Sequence, residues 1–578
     1  LVTHTTIATD LHEADIKSGG FPDPIIIDMK KFPLNEGMNI LAVQVHNRSL
    51  SSSDLSCIPF LTVGYNFEKL NIRDPDLKMS LPNSYLHSNF KIESSGEKLI
   101  ISNPIGTILD SVSTGLIPTD KSRGRIQESK TWSLFDSPTP GSSNVTYSYQ
   151  GFLSDLNISI ETGFYNLSQN VNISHQDEEA IIYYTINGTV PDQNSNQYVN
   201  QITINKNTVL RATAFKEGWL KSRTVTKSYI FDNDYDLPSF FLTVKPQDFF
   251  HPDSGIYVKG PNAENSYPYF GANFWKDIEK PAHIEILDSN GDSYSADAGV
   301  KIFGAWSRGH AQKSLSLFAR KKYGPSSFNY KFFKELDYDN YEAFVLRNSG
   351  NDWNSTILRD GYVSTLVSDI DIDRLSYRPS QLYINGMYWG IHNLREKTNE
   401  HYLSAHHRID VEDIDIIGIN NSAPNNFELI HGSSADYYDL VEYVSNQNLS
   451  DQEKFAHISS KIDIEEYINY QIVQIFIDNR DWPGNNVKLW KDNRKNGKWR
   501  WIIYDTDFGL GLNSPLIAHE LNTLKFALDP NGPFWPNPPW STLFFRKLIQ
   551  NNSFKNQFIN TFSDYLNTVF TSKNLNTK

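Results

Sequence analysis

A single cysteine, Cys57, stands in 578 residues. That excludes an intramolecular disulfide framework and any cysteine-built zinc or iron–sulfur centre. Basic residues are outnumbered, 53 Lys and Arg against 67 Asp and Glu, and no run of five basic residues occurs. Affinity for nucleic-acid phosphates rests on clustered positive charge, so a nucleic-acid partner is not expected. No stretch of 18 apolar residues is present either, so no membrane-spanning helix is predicted. The opening Leu1-Val2-Thr3 shows neither an initiator methionine nor a signal-peptide pattern, and it reads as the start of a processed or partial chain.

What is abundant is aromatic: 34 Phe, 30 Tyr and 12 Trp. That enrichment favours strands and surface-type modules over helical bundles. A chain this long predicts several domains, and turn-rich breaks divide it. The expected class is a multidomain chain of N-terminal all-β sandwich modules followed by a large α+β domain.

Residues 1–70 contain Gly37-Met38-Asn39-Ile40-Leu41-Ala42-Val43, which resembles the last strands of a galactose-binding-like jelly roll. Residues 85–145 show a period-two Gly96-Glu97-Lys98-Leu99-Ile100-Ile101, then Gly124-Arg125, Trp132 and a closing Thr139-Pro140-Gly141. This order is similar to a lamin-tail sandwich. Residues 150–232 carry Ile181-Ile182-Tyr183-Tyr184-Thr185 ahead of Asn187-Gly188, where a tight hairpin with two positive-φ positions is expected. With the later strand Val209-Leu210-Arg211-Ala212, they resemble the chitobiase/hexosaminidase C-terminal sandwich. Such modules imply tethering to a surface or glycan. The acidic stretch 232–238 then reads as a linker to the large domain, 238–578.

The chemistry concentrates between 463 and 509. Asp463 followed by Glu466 signals a helix start, apolar residues recur at Ile464, Ile468, Ile472, Ile475 and Phe476, and the helix is expected to stop near Asp478-Asn479 because Trp482-Pro483-Gly484 cannot extend it. Two strands follow, Val487–Trp490 and Trp499–Tyr504, around a polar turn. Symmetric pairing about that turn would set Asn486 opposite Asp505. Asp481 then precedes Asn486 by five residues, and Asp507-Phe508-Gly509 closes the run. In kinases an Asp that orients a hydroxyl, an Asn and a metal-binding Asp follow in this order. Asp478 competes with Asp481 as the hydroxyl-orienting group. The Asp-Phe-Gly run picks Asp507 as the principal metal ligand and the hairpin symmetry picks Asp505, and since residues two apart share a face of a strand both can reach the site.

Upstream, Gly299-Val300-Lys301-Ile302-Phe303-Gly304-Ala305-Trp306-Ser307-Arg308, Leu346-Arg347-Asn348-Ser349-Gly350-Asn351-Asp352 and Tyr383-Ile384-Asn385-Gly386 resemble the CotH kinase family over roughly 235–520. The resemblance implies a kinase-like fold that phosphorylates Ser or Thr of a protein partner with ATP and Mg²⁺ or Mn²⁺, outside the cell or at its surface. It implies Asp481 as the catalytic residue, Lys313, Arg308, Ser307 and Glu396 around ATP and its phosphates, and Asn486, Asp505 and Asp507 at the metal. One departure stands out: residues 355–369 offer Arg359 and Asp360 but no Glu to pair with Lys313. Two other readings remain open: a non-catalytic adhesion protein with a kinase-like fold, and a nucleotidyl transferase.

Overall fold

The computed structural model describes residues 92, 96–117, 121–127, 129–139, 142–231, 236–419, 426–494, 497–512 and 516–578. The jelly-roll expectation at 1–70 lies outside them. Residues 96–149 form a two-stranded sheet, Lys98–Ser102 with Ile108–Ser113, and a three-stranded one, Ser122–Arg125, Trp132–Phe135 and Ser148–Tyr149.

Residues 150–231 build a five-stranded sheet around Ile181–Thr185, Thr208–Phe215 and Val225–Ile230. Its core holds Leu153, Leu156, Val171, Ile173, Leu210, Ala212 and Tyr229. The tight Asn-Gly hairpin does not form. Tyr184 pairs with Asn196, so the connection is long. Within it only Gly188 takes positive φ, +82°, while the Asn187 side chain accepts from the Thr189 amide at 3.1 Å. A local side-chain turn has replaced the backbone turn that the dipeptide favours.

The large domain has two lobes. The first is a closed seven-stranded barrel: β1 Ser239–Val244, β2 Lys280–Leu287, β3 Ser293–Phe303, β4 Ser314–Phe318, β5 Ala343–Arg347, β6 Tyr377–Ile384 and β7 Met387–Glu396. Neighbours run β1-β2-β3-β4-β5-β7-β6, and β6 closes on β1 in parallel, with Ser239 level with Gln381. Strand β1 is buried on both faces, although alternation would normally leave one face wet. Phe240, Leu242 and Val244 fill the barrel. Phe241 points the other way and packs with Tyr383, Ile230 and Phe164 beneath the preceding sandwich. There Ser228 donates to Glu285 at 2.6 Å and Thr162 donates to the same carboxyl, whose pKa burial pushes up. Sandwich and barrel are thus joined by an apolar patch around a shared polar knot.

Helix α1, Arg359–Leu366, crosses between β5 and β6. The second lobe carries the sheet of β8 Ile414–Ile419, β9 Phe427–His431, β10 Val487–Asp492 and β11 Arg500–Ile503, edged by the short strand Asp373–Arg374 beside β11. It packs on helices that include α2 Ala435–Asn446, α3 Ile464–Phe476 and α4 Asn552–Asn567. Helix α3 starts as its sequence predicts: the Asp463 carboxylate accepts from the Glu466 amide at 3.3 Å. The Glu466 side chain does not turn back to complete the box. It accepts from the Trp501 amide at 2.9 Å and fastens the helix to β11. No helix among the described residues is long and apolar enough to cross a membrane.

Candidate active site

The two lobes meet at a set of carboxylates and one guanidinium. Asp481 lies on the loop after α3. Its carboxylate accepts from Asn485 at 3.0 Å, Asn486 at 2.7 Å and the indole of Trp535 at 2.8 Å. Burial, helped by the negative charge of Asp505, pushes its pKa up to about 6 against those donors. The rival Asp478 faces elsewhere, ion-paired to Arg480 at 2.5 Å and accepting from Thr523.

The hairpin register is one residue away from the symmetric expectation. Lys488 pairs with Ile502 and Leu489 with Trp501, so extending the ladder sets Asn486 level with Tyr504 rather than Asp505. Asn486 and Asp505 both adopt left-handed backbone, φ 54° and 53°, which ends the regular ladder on each side. Beyond it Asp505 and Asp507 do share a target. Both reach the Arg347 guanidinium at the end of β5, Asp507 at 2.8 Å. Between them Thr506 donates through its amide and hydroxyl to Asp360 of α1, at 3.0 and 3.1 Å.

Asp360 in turn lies 3.2 Å from Arg395 and 3.8 Å from Arg347. Burial raises its pKa, but the two arginines outweigh that and hold it below the usual carboxylate range. Arg347 is likewise kept charged: burial opposes the cation, while Asp505, Asp360 and Asp507 more than restore it. Asp507 is fully buried, and burial with its neighbour Asp505 drives its pKa upward despite Arg347. Its carboxylate also accepts from the Asn351 amide at 2.9 Å. Asp505 keeps 27% of its side chain exposed, so of these two carboxylates it is the one open to the cleft.

The loop 348–352 that clasps Asp507 depends on Gly350, which sits at φ +60°. A Cβ there would come within 2.0 Å of Asp507 Oδ2. Gly350→Ala is therefore expected to cost about 1–3 kcal/mol of stability and to loosen Arg347 from Asp507. Urea denaturation of variant and parent measures it, and equal midpoints would contradict this account.

The residues assigned to ATP by resemblance are placed differently. Lys313 Nζ donates to the carbonyls of Arg308 and His310, each at 2.7 Å, and lies 3.9 Å over the Phe274 ring. Arg308 donates to the carbonyls of Gly304, Phe274 and Trp275. Glu396 is buried, accepting from Ser376, Tyr338 and His406. Ser307 lies on the short turn Trp306–Gly309, which follows Gly304 at φ +100°. The structure thus brings Asp481, Asn486, Asp505 and Asp507 together and gives Lys313, Arg308 and Glu396 bonds that hold the barrel lobe itself. Arg347, Asp360, Arg395 and Trp535 complete the cluster. For Arg347 the available signal was its place at the end of the last strand before α1, ahead of a helix whose first turn holds Asp360.

A strand-built lobe and a helical lobe closing on an Asp–Asn loop and an acidic hairpin end define a kinase-like domain. Comparison with known families agrees: residues 300–578 match the CotH kinase protein family, so this part of the chain is a CotH kinase domain. Residues 160–227 match the chitobiase/beta-hexosaminidase C-terminal domain. No curated protein matches the chain.

Proposed function

We propose that the two-lobed domain is an ATP- and Mg²⁺-dependent phosphotransferase that delivers the γ-phosphate to a Ser or Thr hydroxyl of a protein partner. The partner would lie outside the cell or at its surface, with the sandwich modules as tethers. The observation that carries this reading is the bridge from Arg347 in one lobe to Asp505 and Asp507 in the other, beside Asp481.

Protein kinases pair a strand cation with a carboxylate on the helix that follows, and the pair aligns the nucleotide's phosphates. Arg347 and Asp360 take those parts here, which accounts for the absence of a Glu partner for Lys313. Asp481 orients the acceptor hydroxyl. Its carboxylate lies in a partly buried niche and needs only to be ionised and aimed.

For the metal, the donor set fits Mg²⁺ or Mn²⁺. Asp505 offers a carboxylate, and Asn486 keeps its amide oxygen free because its nitrogen bonds Asp481. All donors are hard oxygens. Among the described residues no three His, Cys, Asp or Glu converge as a self-sufficient cage, so an ion would also draw on phosphate and water oxygens. Bound there, the ion would neutralise phosphate charge. Asp507, sealed inside, serves this reading best as the internal partner that fixes Arg347.

Mg²⁺ with ATP should raise the melting temperature of the full chain, and Asp505→Ala should remove that rise. An unshifted parent would sink the nucleotide reading. Label incorporated from γ- but not α-labelled ATP supports phosphoryl transfer, whereas α-label would assign nucleotidyl transfer instead.

A further inference from the structure

Where β7 passes into the helical lobe, two lysines stand without a counter-ion among the described residues. Lys397 directly follows β7, and its ammonium lies 5.0 Å over the Phe303 ring and 5.5 Å over Phe318. Lys488, on β10, donates to the Thr398 hydroxyl at 2.8 Å and lies 4.6 Å over the Tyr504 ring. Both side chains are only partly accessible. Among the described residues neither ammonium has a carboxylate within 4.0 Å.

The acids nearest in effect are already engaged or peripheral. Asp277 bonds Lys301 at 2.6 Å, and Asp505 bonds Arg347. Glu400 lies 3.6 Å from His401, and Glu428 is exposed to solvent. Lys301, Lys397 and Lys488 repel one another in sequence: Lys301 acts on Lys397, and Lys397 on Lys488. Ring faces offset part of the cost of withdrawing a cation from water, but they do not neutralise it.

We propose that Lys397, Lys488 and the Thr398 hydroxyl form a phosphate subsite at the lobe junction, beside the carboxylate cluster and distinct from its donors. Two ammonium groups and a hydroxyl beside aromatic faces suit a phosphate dianion. An anion there would pair both lysines at once and relieve their mutual repulsion. Lys488 is two residues beyond Asn486, and the ring its ammonium covers belongs to Tyr504, the chain neighbour of Asp505. A phosphate held by it would lie next to the proposed reaction centre, not remote from it. The inference rests on the phosphotransferase reading for the meaning of the cleft, but its test does not need metal or turnover. The phosphate belongs either to the nucleotide or to an acceptor that already carries one.

The test is calorimetric titration of the full chain with pyrophosphate in EDTA, where the carboxylate cluster can only repel the anion. The parent should bind it. Lys397→Gln/Lys488→Gln should weaken that binding at least about tenfold, and Lys397→Arg/Lys488→Arg should retain it while melting at the same temperature as the Gln pair. Equal binding by the parent and the Gln pair, or no binding by the parent, overturns the subsite. Either result leaves the Mg²⁺–ATP shift and its loss in Asp505→Ala to be judged separately. O-phosphoserine added to protein saturated with Mg²⁺ and ATP identifies the source. Lysine-dependent binding assigns the subsite to the acceptor; its absence, with pyrophosphate binding intact, assigns it to the nucleotide.

Discussion

Asp481→Asn is expected to lower transfer from ATP by about 10²–10⁴-fold, the range for losing a positioned proton acceptor, while the Mg²⁺–ATP melting shift persists. Label incorporation from γ-labelled ATP measures the first effect and thermal denaturation the second. The parent's rate should fall as pH drops through about 6, because burial has raised the Asp481 pKa to that value and the ionised form is the useful one. A rate that climbs on acidification, or an Asn variant as active as the parent, would remove Asp481 from the mechanism. Stability should move in the opposite sense. A carboxyl whose folded pKa lies above its unfolded 3.8 contributes most below that value, and the contribution is lost as pH rises through about 6. Relative to Asp481→Asn, the parent should therefore lose up to about 3 kcal/mol between pH 4 and pH 8. Denaturant midpoints at both pH values decide it, and a constant difference would contradict the assignment.

Arg347→Met carries the second large effect, on folding as well as on function. The guanidinium neutralises Asp505 and Asp507 and flanks Asp360, and two of those three carboxylates are buried. Removing one partner of such a cluster leaves uncompensated buried charge, with an expected loss of about 3–5 kcal/mol. The same logic gives a rescue. Without Arg347 the carboxylates would take up protons more readily in the folded state, so the variant should recover stability as pH falls from 7 to 5. Arg347→Lys, which keeps the charge but cannot fork between two carboxylates, should lie between the two. A melting temperature equal to the parent's, or a variant weakened further by mild acid, would show that Arg347 is a bystander.

Much of this architecture was legible because it is local. The Asp463 cap, the apolar spacing of α3 and the expected stop near Asp478-Asn479 are local signals, and the helix runs from Ile464 to Phe476, two residues short of that stop. The sandwich identity of 160–227 and the CotH character of 300–578 were also legible, carried by ordered motifs. What escaped depended on distant partners or on single residues of backbone geometry. Lys313 is expected at phosphate by resemblance, and the contacts of its ammonium with the rings of Phe274 and Tyr257 are ones its local sequence does not announce. The hairpin pairs one residue away from the symmetric register, and its strands end in left-handed residues that no alternation pattern announces. Arg347 and Asp505 are 158 positions apart, and only the closure of the two lobes shows that they meet.

The knot between sandwich and barrel has a mechanical consequence. Phe164 lies 6.0 Å from Phe241 and 5.9 Å from Tyr383, and Glu285 is gripped by two hydroxyls from across the boundary. The sandwich and the barrel lobe are therefore expected to turn as one body, and a ligand held by the sandwich would keep one orientation to the barrel. In the proposed kinase that anchorage would set which way the cleft faces.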